Sequence, residues 1–231
     1  MYQPFVAPGD LVFDVGAHLG DRTAAFSALG CRVVALEPHP ELEPWLRRLT
    51  RRRGDVTVLA VAAGAEPGRA ELAFSPANPT VSSMSRSWRE RVRESNPGFN
   101  RVRWTGLRLV EVTTLDQLIA RYGRPAFCKI DVEGYEARVL AGLSQPLPGL
   151  SVEFVSGALD ECRACVDRLE SLGEYVFNAV AGESRSWRWA EWRPAPAVRD
   201  WLDAGAEGLT SGDLYARQVG AQQAPPGVQQ P

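Results

Sequence analysis

Through about residue 65, short apolar runs alternate with segments whose apolar residues recur at helical spacing. That alternation predicts a parallel sheet flanked by helices. The apolar run 11–15 stops at Gly16 and reads as a strand; 21–29 reads as a helix closed by Gly30; 31–36 is a second, β-branched strand. Pro40 then opens a helix in which Leu42, Trp45, Leu46 and Leu49 stand at i, i+3, i+4 and i+7, the spacing of one buried face, with Gly54 ending it. Residues 56–61 give a third strand. Farther along, strands are expected at 69–74, 107–112, 126–131, 150–155, 174–180 and 213–217, and helices at 134–143 and 159–172. Thr114 and Gln117 have the Thr-x-x-Gln spacing of a capping box, so another helix should run to about Tyr122, stopped by Gly123 and Pro125. Successive strand–helix–strand units make an α/β, Rossmann-like, doubly wound fold, with a mostly parallel sheet of about seven strands and helices on both faces.

Between the strands at 69–74 and 107–112 the rhythm breaks. Residues 75–106 are rich in Pro, Ser, Asn and Arg with weak periodicity, the signature of an inserted lid rather than a packed layer. Residues 1–218 are read as one domain, and 219–231, made largely of Gln, Pro and Gly, as a disordered tail. The 231 residues carry 26 basic and 28 acidic side chains and are 45% hydrophobic, which excludes a disordered chain or a histone-like polycation. Nucleic-acid binding through the overall field is disfavoured for the same reason. No apolar stretch approaches the ~18 residues of a membrane span, and the first ten residues lack the order of a secretory leader, so the expectation is a cytoplasmic protein. The four cysteines are not needed to hold a chain of this size, and Cys162 and Cys165 fall on a helical face that packs.

The loop after the first strand is the strongest chemical signal. Asp14-Val-Gly-Ala-His-Leu-Gly20 lies between strand and helix, where a nucleotide-bearing cofactor meets the backbone. Neither frame of Gly-x-Gly-x-x-Gly fits: His18 and Asp21, or Val15 and Ala17, stand where glycine is required, so a dinucleotide is disfavoured. S-adenosyl-L-methionine brings an ammonium group and no pyrophosphate, and suits a carboxylate at the strand end. Glu37, ending the second strand, can accept hydrogen bonds from both ribose hydroxyls.

With this loop, Glu37 and Pro38, Thr113 to Leu118, and the run Lys129-Ile-Asp-Val-Glu-Gly-Tyr-Glu136, the chain resembles the FkbM-type methyltransferases, a branch of the class I S-adenosylmethionine-dependent enzymes. The matching segments keep the family's order over roughly residues 10 to 180. The resemblance implies a Rossmann-like sheet whose last strand is antiparallel, and O-methylation of a hydroxyl on a sugar, nucleotide-sugar, polyketide or related metabolite. Family members often have Asn where this chain has His18. The expected cofactor-binding set is Asp14, Gly16, Ala17, His18, Gly20, Thr23, Glu37, Ala62 and Asp131. Methylation of an amine or carboxylate, methylation of RNA, and a catalytically silent adenosyl-binding module are the alternatives.

Methyl transfer to an alcohol needs alignment and a proton acceptor. The candidates are Asp131, Glu133 and His18, with His18 nearest in intrinsic pKa to neutral pH. No metal site is predicted, although paired carboxylates offer a second route, a divalent cation that acidifies the hydroxyl. Lys129 is expected to be structural, paired with a buried acid. Arg47, Arg48, Arg51, Arg52 and Arg53 read as a solvated helix end. Arg86, Arg89, Arg91 and Arg93 around Trp88, with Arg101, Arg103 and Trp104, offer the lid a means of selecting an anionic acceptor. Trp187, Trp189 and Trp192 alternate like a strand face, with packing the default and an acceptor pocket the alternative. A homodimer is compatible with all of this.

Overall fold

The computed structural model describes residues 1–221, so most of the 219–231 tail lies outside the described residues. The first half contains β1 (Leu11–Val15), α1 (Asp21–Ala28), β2 (Arg32–Leu36), α2 (Glu43–Thr50), β3 (Val56–Leu59), β4 (Ala62–Ala63), β5 (Gly68–Ser75), β6 (Asn78–Ser83), α3 (Arg86–Ser95) and β7 (Gly106–Thr113). The second contains α4 (Leu115–Tyr122), β8 (Phe127–Ile130), α5 (Glu136–Ala141), β9 (Gly149–Val155), α6 (Leu159–Leu172), β10 (Tyr175–Ala181), β11 (Arg193–Pro194), α7 (Ala195–Asp203) and β12 (Ser211–Gln218).

Eight strands form the main sheet in the order β11-β10-β12-β9-β8-β1-β2-β3. The ladders β1–β2, β1–β8, β2–β3 and β8–β9 are parallel, while β12 runs antiparallel to both β9 and β10. This is the doubly wound sheet with an antiparallel last strand; its eighth member is the two-residue β11. The order reverses at β1, with β2 on one side and β8 on the other, so the carboxyl ends of β1 and β8 open into one crevice. Alternate faces of the strands feed two apolar layers. One holds Phe13, Leu36, Ile130, Leu140 and Val166, and the other Val12, Phe26, Val33 and Phe127. Residues ahead of β1 belong to the second layer, with Tyr2 and Phe5 packed on Phe26, Phe127 and Tyr215.

Three expectations change. Residues 75–106 are not irregular: β6 and α3 lie inside them, and β4-β7-β5-β6 form a separate four-stranded sheet. Helix α3 buries only Trp88 and Val92, an i, i+4 pair, and the remaining polar surface hides its periodicity. Trp45 and Leu49 are exposed, at 55% and 52%, because α2 docks through the narrower row Leu42, Leu46 and Thr50. The segment 182–192 is turns and bends rather than a strand. The capping box of α4 is present with both of its hydrogen bonds. Among the described residues, no helix is long and apolar enough to cross a membrane.

Candidate active site

At the end of β1 the chain turns sharply and spends its own donors doing so. The amides of Gly16 and Ala17 donate to the Leu36 carbonyl at 3.0 and 2.9 Å, Gly20 donates to the Ala17 carbonyl at 2.8 Å, and His18 donates to Glu37 Oε2 at 2.8 Å. Gly16 has φ +81°, and a Cβ there would sit 1.8 Å from the Asp131 carbonyl oxygen, so only glycine lets β1 and β8 end side by side. Four N–H groups that would otherwise cradle a pyrophosphate are committed internally.

A cavity of about 390 Å³ opens beyond this turn, and its wall includes Gly16, Ala17, His18, Glu37, Ala62, Asp131 and Glu133. Asp14, Thr23 and Gly20 lie behind the wall. Asp14 is fully buried, accepts from Thr23 Oγ1 through one oxygen, and has no partner for the other. Gly20 caps α1 against Leu46. Glu37 is buried; each of its oxygens accepts one amide, from His18 and from His39, both at 2.8 Å, which leaves lone pairs for ribose hydroxyls. Burial pushes its carboxyl up to about 7.

The opposite end of the cavity is crowded with acid. The β8–β9 register sets Ile130 beside Val152, which brings Asp131 level with Glu153, and Glu153 pairs in turn with Asp213 of β12. Buried Lys129 holds Asp131 Oδ2 at 2.7 Å, the structural role expected of it, and its ammonium is kept protonated by Asp131 and Asp14 against the cost of burial. Glu133, at φ +56°, turns the chain after β8; its Oε2 is buried without a partner. Burial and repulsion from Asp131 push the Glu133 carboxyl well up, burial and Glu133 do the same to Glu153, and burial brings Asp213 to about 6. Asp131, Glu133 and Glu153 each offer an oxygen within 4.8 Å of the others, a donor set suited to a divalent cation. Glu153 escaped the sequence reading; the signal for it is a single acid inside the buried strand GLSVEFV. His18 is half-buried with its pKa lowered by desolvation, so its imidazole is neutral at neutral pH.

The family model for the methyltransferase FkbM domain matches residues 14–202. The chain belongs to the FkbM methyltransferase family. Hexuronic acid methyltransferase AglP of Haloferax volcanii is 27% identical over 150 residues, covering 63% of this chain and 54% of that protein, so the chain spans about half the length of the curated relative it matches. Among solved structures, precorrin-6y C5,15-methyltransferase of Geobacter metallireducens has a TM-score of 0.48 at 12% identity, over 94% of this chain and 84% of that one. The fibrillarin pre-rRNA processing protein of Methanococcus jannaschii has 0.49 at 9%, over 92% and 67%.

In this FkbM-family domain the small sheet leans over the crevice. Leu72 of β5 and Thr80, Ser82 and Met84 from β6 and its exit line the same cavity as His18 and Asp131. Ser83 Oγ donates to the Glu133 carbonyl at 2.6 Å, and Trp88 lies on Gly134, where a Cβ would come within 2.0 Å of the indole. Trp88 is therefore a buried anchor. Trp187 and Trp192 pack with Phe5 and each other, and Trp189 packs on Trp201; none of the three is on the cavity wall. Cys162 and Cys165 are core residues of α6.

Proposed function

We propose that this FkbM-family domain is an S-adenosylmethionine-dependent O-methyltransferase acting on a hydroxyl of a small molecule, a sugar or related metabolite. The carrying observation is a single cavity that holds the Glu37 carboxylate, with lone pairs to spare, and the neutral imidazole of His18 beside Asp131. A turn whose amides are already used is a poor seat for a pyrophosphate and no obstacle to an adenosyl ligand. The residues present fit S-adenosylmethionine: Glu37 takes the ribose hydroxyls, Gly16 and Ala17 line the approach, and the acidic wall favours a cation.

When bound, S-adenosylmethionine supplies a methyl group activated by a positively charged sulfur. Asp131, held by Lys129, would orient the acceptor hydroxyl and His18 would take its proton; the methyl–sulfur bond that breaks would leave S-adenosylhomocysteine. Residues 75–106 act as a lid that keeps water from the reacting atoms. The carboxylate trio supports a second reading: Asp131, Glu133 and Glu153 would hold a divalent cation, which would supply Lewis acidity toward the acceptor hydroxyl. Exhaustive chelation separates the two, because the His18 route survives it.

Calorimetric titration with S-adenosylmethionine, S-adenosylhomocysteine and NAD tests the cofactor. Binding of the two adenosyl ligands alone, weakened roughly 30-fold in Glu37→Ala, is the expected result. Binding of NAD, or of nothing, would defeat the proposal. The name of the Haloferax relative makes uronic sugars the first acceptors to screen.

A further inference from the structure

The basic residues of α3 gather in a place of their own. A groove of about 420 Å³ runs between α3, the segment entering β7 and the face of the small sheet that bears Glu71. Arg86, Arg89 and Arg93 stand at i, i+3 and i+7, one stripe of α3, and Arg103 joins them from the loop; Glu71 and Glu90 are the acids present. Arg86 pairs with Glu90 at 2.9 Å, but Arg89, Arg93 and Arg103 make no ion pair among the described residues. Arg89 donates to the Ser85 carbonyl, and Arg103 to those of Asn100 and Val102, contacts that aim a guanidinium without neutralising it. Burial pulls the Arg89 pKa down, and Glu71 and Glu90 offset that only in part. Trp104 is fixed by its Nε1–H donating to the Val81 carbonyl at 2.6 Å, and it lines the groove together with the four arginines.

We propose that this groove binds an oxyanion carried on a sugar outside the residue being methylated, so that the acceptor is an acidic glycan or sugar phosphate too long for the cavity alone. Guanidinium forks match a carboxylate or phosphate, and the indole matches the apolar face of a sugar ring. Adjacent residues of β5 divide between the two sites, Leu72 to the cavity and Glu71 to the groove, so the two sites share one strand and lie on opposite faces of the small sheet. The inference rests on the O-methyltransferase reading for the reaction, and on the groove alone for the ligand.

The test is calorimetry of the full chain with S-adenosylhomocysteine present. The probes are a uronic-acid trisaccharide, a nucleoside-diphosphate sugar, a neutral trisaccharide and a single-stranded RNA oligonucleotide. At least one acidic sugar is expected to bind roughly tenfold or more tightly than the neutral one, and to lose that margin in the Arg93→Glu/Arg103→Glu variant while S-adenosylhomocysteine affinity holds. Which acid binds identifies carboxylate or phosphate as the source. Equal binding of neutral and acidic sugars, or acid binding unchanged in the variant, overturns the proposal. RNA bound more tightly than either sugar, and lost in the same variant, overturns it in favour of nucleic acid. Should circular dichroism show the double variant unfolded, Arg93→Gln takes its place under the same criteria. Failure of wild-type protein to bind S-adenosylhomocysteine would sink the methyltransferase reading instead, and sugar binding measured without it would still decide the groove.

Discussion

The two sides of the small four-stranded sheet carry opposite charge. The cavity beneath it is lined by six carboxylates against one arginine and one lysine. The groove outside has four guanidiniums against two carboxylates. Inside, like charges crowd together at low solvent access, and the carboxyls of Glu37, Glu133 and Glu153 are pushed up. Outside, Arg89, Arg93 and Arg103 make no ion pair among the described residues, and only Arg86 is matched, by Glu90. An enclosed surplus of negative charge suits proton transfer and a cationic cofactor, whereas an open surplus of positive charge suits holding a ligand without reacting with it. On the two proposals made above, chemistry and recognition fall on opposite faces of one four-stranded sheet.

Removing charge from the inner face should have the largest effect. Asp131→Ala, which removes the group that orients the hydroxyl, is expected to lower methyl transfer by roughly 10²-fold in a radiolabelled assay. Because it also leaves Lys129 buried without its partner, Asp131→Asn is the better-folded companion, and full turnover in that variant would remove Asp131 from the mechanism. Next comes the joint between the faces. Gly134→Ala puts a Cβ into Trp88 at a positive φ and should cost about 3 kcal/mol in thermal or urea unfolding; a wild-type midpoint would mean that the indole is free to move. Glu37→Ala should weaken S-adenosylhomocysteine by about 2 kcal/mol, read by calorimetry, with little effect on any sugar bound in the outer groove.

A smaller, graded effect should come from pH. Glu37 titrates at about 7 in the folded protein, above its unfolded value, so its proton favours the folded state and that contribution is lost as pH rises through 7. Ligand affinity moves the other way. Ribose hydroxyls donate to the ionised carboxylate, and binding should strengthen severalfold from about pH 6 to 8. A flat profile would show that Glu37 does not hold the ribose. Smallest of all, and confined to the outer face, is the effect of salt: raising ionic strength from about 0.05 to 0.3 M should weaken an acidic sugar while sparing S-adenosylhomocysteine.

Much of the inner site was legible because its residues obey local rules. Gly16, Glu37 and Asp131 each end a strand, and strand ends are what apolar runs mark best. Helix α6 was legible from one end to the other for a similar reason: its buried row Cys162, Cys165, Val166 and Leu169 repeats at helical spacing. Glu153 was hidden because its importance comes from register, not from neighbours in sequence; only the pairing of β9 with β8 and β12 brings it to Asp131. Helix α3 was hidden because it rests on two side chains, and α7 because the tryptophans before it imitate a strand. Trp45 and Leu49 misled in the opposite sense, since helical spacing reports what a helix can bury and not how wide a face its neighbour offers.

Trp88 resting on Gly134 joins two segments that lie far apart in the chain, helix α3 and the turn that carries Glu133. A relative that acquired a different α3 by recombination would bring a new residue to the position of Trp88. It would then meet either a hole or a collision at 134. Changes at these two positions should therefore be inherited as pairs, with the identity of one small residue after β8 recording which helix it evolved beneath.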